Sequence, residues 1–247
     1  MARVLLEVCV DDPAGFEAAA SGGADRIELC SCLAVGGLTP SRGFMAFAAR
    51  SFLPVRAMIR PRAGSYVFSD TEIAIMHRDI DSARAAGLAG VVIGANLASG
   101  NLDEKTLARL ADHASGLDMT LHRCVDLTAD PVEAVDLAVQ LGFRTILTSG
   151  GTLQAPQGAG TIATMVARAG DRLEILGGSG LDPDNVADFV RKTGVKAVHG
   201  SFAAGLKQID EKLVRFGFMT GHDRETSLER VKRVRTALDR LDDPNSL

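Results

Sequence analysis

The 247-residue sequence has no tryptophan and a single tyrosine, which leaves almost nothing for stacking on bases or sugars. Charge of one sign is also missing. There are 27 basic residues against 31 acidic ones, whereas a nucleic-acid binder carries a cationic surplus. No apolar run approaches the roughly 20 residues of a membrane span. Met1-Ala2-Arg3 runs straight into an apolar segment, so no signal peptide is expected. Cysteine is sparse: Cys9, Cys30, Cys32 and Cys124 include no Cys-x-x-Cys pair, and no His-rich spacing accompanies them, which argues against a structural zinc site. Thiols without a leader point to the reducing cytoplasm. No Pro/Gly/Ser-rich linker interrupts the chain, so residues 1–247 are expected to form one domain.

What is present is a recurring phrase, a glycine followed by a short apolar run. It reads Gly23-Ala24-Asp25-Arg26-Ile27-Glu28-Leu29, Gly87-Leu88-Ala89-Gly90-Val91-Val92-Ile93, Gly142-Phe143-Arg144-Thr145-Ile146-Leu147 and Gly194-Val195-Lys196-Ala197-Val198-His199. Each glycine follows a helix-period segment, where a left-handed terminator is needed. Each apolar run suits a strand buried on both faces. The glycines are 64, 55 and 52 residues apart, about two βα units each, and four further apolar runs lie between them. Eight strands are expected, at about 3–10, 25–30, 54–60, 89–94, 118–123, 143–148, 172–177 and 196–200. Alternating with helices, they make an α/β protein of the (β/α)8, or TIM-barrel, class. Asp12-Pro13, Asp130-Pro131 and Asp182-Pro183 are N-cap signals for the helices after strands 1, 5 and 7. Residues 205–222 read as irregular, 224–241 as an extra C-terminal helix that caps the barrel or joins two copies, and 242–247 as a frayed tail.

Chemistry in such a barrel belongs where strands end. Strands 1 and 2 both finish Glu-x-Cys, as Glu7-Val8-Cys9 and Glu28-Leu29-Cys30. Period-2 geometry turns each Glu and its Cys inward, while Val8 and Leu29 meet the helices. Two buried carboxylates need partners. Arg60, at the end of strand 3, and Arg123, after strand 5, are expected to pair with Glu7 or Glu28, or with a ligand's carboxylate or phosphate. Glu7, Glu28 and His122 are the candidates for proton transfer. They could equally hold a hard divalent ion. Candidate anion-binding residues are Arg60, Arg62, Arg123, Asp126, Ser149, Gly178, Ser179, His199 and Ser201; the glycines and serines after strands 6, 7 and 8 offer backbone N–H groups to a phosphate. Cys9 and Cys30, with Cys32 nearby, could hold a soft ion such as Cu(I) or serve as small buried hydrophobes. His77, His113 and His222 read as solvated. Six lysines all lie away from strand exits, which excludes a Schiff-base nucleophile there. No organic cofactor is evident.

In these residues the chain resembles the CutC family of copper homeostasis proteins over nearly all of residues 3–201. The likeness rests on Glu7-Val8-Cys9-Val10-Asp11, Gly23 to Cys30, and Gly36-Gly37-Leu38-Thr39-Pro40-Ser41. It continues in Ile59-Arg60-Pro61-Arg62, in His122-Arg123 followed by Asp126, and in Leu147-Thr148-Ser149-Gly150. The resemblance implies a cytosolic barrel, often a homodimer, associated with copper, with Cu(I) on Cys9 and Cys30. Two departures stand out: Tyr66-Val67-Phe68-Ser69 has no cysteine where relatives often carry one, and Cys124-Val125 replaces the usual Ala-Phe. An alternative reading of the same mouth is an enzyme performing acid/base chemistry on a small anionic or phosphorylated metabolite.

Overall fold

The computed structural model describes residues 3–206, 208–220 and 223–241. Eight parallel strands close into a barrel in sequence order: β1 (Leu5–Val10), β2 (Arg26–Leu29), β3 (Val55–Met58), β4 (Gly90–Ile93), β5 (Asp118–Leu121), β6 (Thr145–Thr148), β7 (Glu174–Gly178) and β8 (Ala197–Gly200). Seven helices alternate with them: α1 (Pro13–Ser21), α2 (Arg42–Ala48), α3 (Asp70–Ala86), α4 (Glu104–His113), α5 (Ala134–Gln140), α6 (Ala159–Ala169) and α7 (Val186–Thr193). Gly23, Gly87, Gly142 and Gly194 have φ of 94°, 80°, 80° and 70°. Each therefore reverses the chain between helix and strand in the left-handed region.

Outward-facing Leu6, Val8, Ile27, Leu29, Val91 and Ile93 are fully buried and pack with α1 and α3 residues such as Phe16, Ala19, Ile73 and Ile80. Two small apolar groups, Leu5-Leu147-Leu176-Ala197 and Cys30-Met58-Val92, stand apart from that main core. Polar side chains fill much of the barrel interior. Arg26 pairs with Glu7 and, at 2.7 Å, with Glu174. Arg56 donates to Thr120 at 2.7 Å, to Thr145 at 2.9 Å and to Asp118 at 3.3 Å.

Three expectations change. Beyond β8 the chain is not wholly irregular, because β9 (Ala203–Gly205) pairs antiparallel with β10 (Arg224–Thr226), and α8 (Glu211–Arg215) lies between them. That pairing removes residues 224–226 from the terminal helix. The helix, α9 (Leu228–Asp239), instead starts behind Ser227, whose side chain caps it. Val231, Val234 and Leu238 bury it against the core, and Arg235 donates to Val4 O and Asp25, both at 3.0 Å. The third change concerns the Asp-Pro signals. Asp12 caps α1 by accepting from Gly15 N at 2.7 Å. Asp130 and Asp182 accept from Val132 N and Asp184 N, so they cap turns one step ahead of α5 and α7. His77 and His113, both partly exposed, stack with ring centroids 4.3 Å apart. His222 and the 242–247 tail lie outside the described residues. Among those residues, no helix is long and apolar enough to cross a membrane.

Candidate metal centre at the barrel mouth

The stagger between β1 and β2 decides which inward side chains meet. Glu7 is level with Arg26, and Cys9 is level with Glu28. Across the β1–β8 seam, Glu7 is level with His199. A closed barrel requires such shear. The two Glu-x-Cys phrases therefore stack end to end: Glu7 deepest, Cys9 and Glu28 above it, Cys30 higher still. Of the two partners expected for Arg60 and Arg123, a buried glutamate or a ligand's anionic group, the first is not seen: among the described residues neither arginine pairs with Glu7 or Glu28. Glu7 pairs instead with Arg26, which stands at a strand start rather than at a strand exit. The inward position of Arg26, two residues before Glu28, was the available signal. Arg56, two residues before Met58, and Glu174 at the start of β7 were missed in the same way.

One ligand atom each from Cys9, Glu28 and His199 gather with every pair within 4.8 Å. All three side chains are buried, at 7%, 3% and 7% exposure. Glu7 Oε1 meets His199 Nδ1 at 2.8 Å, and His199 Nε2 stands 3.8 Å from Glu28 Oε2. Glu7 thus fixes the ring with its Nδ1–H buried in a carboxylate, leaving Nε2 to face Cys9 and Glu28. Gly178 is level with His199 in the neighbouring strand. A Cβ there would lie 3.1 Å from the His199 Cβ and Cδ2 and 2.8 Å from Leu147 Cδ1, so only glycine leaves the ring its place.

Electrostatics follow from burial. Desolvation works against the Glu7 carboxylate, but Arg26 and His199 outweigh it and hold the group down at about 2. Burial pushes the Cys9 thiol and the Glu28 carboxyl up, with His199 opposing both. Burial also works against a charged His199, yet Cys9, Glu28 and Glu7 hold it well above the usual histidine range. The metal-free cluster therefore keeps a proton on His199 between its acidic neighbours. Among the described residues Glu28 Oε1 has no hydrogen-bond partner.

The other expected thiols lie apart. Cys30 is fully buried against Met58 and Val92, and its Sγ is 3.6 Å from Glu28 Oε2. Burial and Glu28 push its pKa well up. Cys32 is exposed, in a left-handed conformation at φ 52°, before a 3-10 turn. Cys124 is buried and its thiol is likewise pushed up by desolvation. All four cysteines are free.

A cavity of about 600 Å³ opens over the Cys9, Glu28 and His199 cluster, with Arg60, Tyr66, His122, Arg123, Ser179 and Ser201 in its wall. Arg123 is held by Asp126 at 2.9 Å and by Ser149 Oγ at 2.7 Å. Asp126 also accepts from Thr148 Oγ1 and from the backbone N–H groups of Ser149 and Gly151, so these residues latch the loops after β5 and β6. Arg62 turns away, bonding Glu72 and the carbonyls of Ser65 and Val67. Ser179, at φ 83°, donates to Leu153 O. Arg224 and Arg230, from β10 and α9, reach the cavity wall from the segment beyond the barrel. No motif in the sequence marked them.

The molecule is thus a TIM barrel with a buried sulfur, nitrogen and oxygen cluster at the end where such barrels carry their sites. The sequence model of the CutC family matches residues 4–204, and the chain belongs to that family. The CutC family protein of Rhizobium meliloti strain 1021 is 48% identical over 239 residues, 97% of this chain and 98% of that one. The corresponding protein of Caulobacter vibrioides strain NA1000 is 48% identical over 238 residues, 96% and 97% of the two chains. Among solved structures, CutC from Streptococcus agalactiae, whose name assigns it provisionally to copper homeostasis, superposes with a TM-score of 0.77. It is 31% identical, and the match covers 80% of this chain and 98% of that one.

Proposed function

We propose that this protein is a copper homeostasis protein that holds Cu(I) at the barrel mouth through the Cys9 thiolate and the His199 imidazole, with Glu28 as the neighbouring charge. The observation that carries this reading is the convergence of those three buried groups within 4.8 Å. The donor set fits the ion. Thiolate is a soft ligand that selects Cu(I), and imidazole also suits copper, whereas a carboxylate alone would favour harder cations. Glu7 behind Nδ1 makes Nε2 the coordinating nitrogen. Binding is an exchange of cations, in which the metal takes the place of the protons on His199 and Cys9, so affinity rises with pH. Support also comes from the copper name carried by the Streptococcus agalactiae relative. Free thiols suit a reducing compartment such as the cytoplasm.

This reading differs from a Cys9/Cys30 pair. Cys30 is covered by Gly37, packs against Met58 and Val92, and does not contribute to the cavity wall. An anaerobic Cu(I) competition titration distinguishes the two. Cys9→Ser and His199→Asn each lose more than about 100-fold in affinity, beyond what an outer hydrogen-bond partner costs. Cys30→Ser stays close to wild type. If Cys30→Ser fails as completely as Cys9→Ser while His199→Asn binds normally, a dithiolate site replaces this one.

A further inference from the structure

A copper ion does not need a cavity of about 600 Å³, and two residues in its wall are incompletely satisfied. Arg60 is buried, at 4% exposure, and donates only to carbonyls: Val35 O at 2.7 Å, Gly37 O at 3.1 Å and Gly64 O at 2.9 Å. Among the described residues no carboxylate pairs with its guanidinium, which stacks over Tyr66 at 4.7 Å. A buried charge without a counterion is costly, and carbonyl dipoles offset only part of that cost. Tyr66 also packs on the His122 ring, with centroids 4.7 Å apart, so Arg60 and His122 flank one aromatic.

His122 is 3% exposed, and its Nδ1 accepts from Cys124 N at 3.2 Å. The proton of the neutral ring is therefore on Nε2, and among the described residues Nε2 has no partner. Burial, with Arg60 adding repulsion, pushes the His122 pKa down to about 3. Near neutral pH the ring is an uncharged donor with nothing to donate to.

We propose that the cavity binds a small organic oxyanion, a carboxylate or a phosphate, whose charged group accepts the His122 Nε2–H within the field of Arg60. The ligand supplies what both residues lack, a hydrogen-bond acceptor for one and a counterion for the other. The unpartnered Glu28 Oε1 sets the remainder of the ligand class. A carboxylate oxygen repels the oxyanion and favours a hydroxyl or amino group, so the ligand carries a donor as well as an anionic group. Arg123, Arg224 and Arg230 in the wall add positive potential along the approach. Nothing in this assignment requires a bound metal.

The test uses metal-free protein labelled with 15N-histidine and titrated separately with inorganic phosphate and with glycolate. Either probe should produce a saturable shift of the His122 Nε2–H resonance, and His122→Phe should weaken that probe's binding by about 10- to 100-fold. Response to phosphate alone identifies the source as a phosphorylated compound, and response to glycolate alone identifies a hydroxy acid. The proposal is overturned if neither probe moves the wild-type resonance, or if His122→Phe binds as well as wild type. The Cu(I) titration is run on separate samples without either probe, so a failure of copper binding and a failure of oxyanion binding are read independently.

Discussion

Replacing Glu7 by Gln probes the deepest link between this fold and its site. Glu7 is fully buried, with Arg26 on one oxygen and His199 Nδ1 on the other. Gln keeps the shape but loses the charge. Its amide oxygen turns to Arg26, because a guanidinium can only donate, and its NH2 then faces His199. Nδ1 becomes an acceptor, the ring proton moves to Nε2, and the nitrogen facing Cys9 loses its lone pair. Disturbing such a partner lowers metal affinity by about 10- to 100-fold. Stability falls as well. Breaking a buried pair costs about 3–5 kcal/mol, and Arg26 keeps Glu174, so about 3 kcal/mol is expected. The depression of the Glu7 carboxyl from 4.5 to about 2 gives the same figure, about 3 kcal/mol. A chain of this size would then melt about 6–12 °C lower. A carboxyl held down in the folded state stabilises fully above its unfolded value of 4.5, and the contribution is lost as pH falls through about 2. Calorimetry of the two proteins at pH 7 and pH 3, with Cu(I) competition at pH 7, measures all three effects. The reasoning fails if Glu7→Gln binds Cu(I) like wild type, or if the stability gap does not narrow in acid.

Other consequences are as specific. His122 is held neutral down to about 3 when folded, while an unfolded histidine protonates near 6.5, so stability drops as pH falls between those values. Urea unfolding should show about 2 kcal/mol more loss between pH 6.5 and 4.5 for wild type than for His122→Phe, and parallel curves would refute this. Gly178→Ala crowds His199 and Leu147, so it should cost about 1–3 kcal/mol and weaken Cu(I) binding together; a stable variant with normal affinity would contradict the packing argument. Asp12→Ala removes the α1 cap alone, lowering stability by about 1 kcal/mol in the same urea assay and leaving metal affinity unchanged.

The barrel was legible because its signals are local. Four glycines that must reverse a helix and the buried apolar runs behind them determine strand count and order without any long-range contact. The inward direction of Glu7, Cys9, Glu28 and Cys30 was legible for the same reason, since period 2 is a property of one strand. The stagger between strands was not. It is set by closure of the whole barrel, and it places Glu28 beside Cys9 and leaves Cys30 a step higher. His199 stands in the cavity wall, where a ligand-contacting residue was expected, but its contact with Glu7 was not legible, because only closure brings β8 against β1. Arg26 and Arg56 lay at strand starts, so attention to strand exits missed the charges that hold Glu7. Helix onset slipped where Asp-Pro caps a turn as readily as a helix, and β10 was hidden because its partner, Ala203–Gly205, has no strand-like composition.

The most direct test of the central claim is X-ray absorption at the copper edge on the Cu(I)-loaded, fully reduced protein. This account predicts one sulfur and the outer-shell scattering of one imidazole, with the imidazole signal lost in His199→Asn and the sulfur lost in Cys9→Ser. Two sulfurs and no imidazole in the wild-type protein would contradict it.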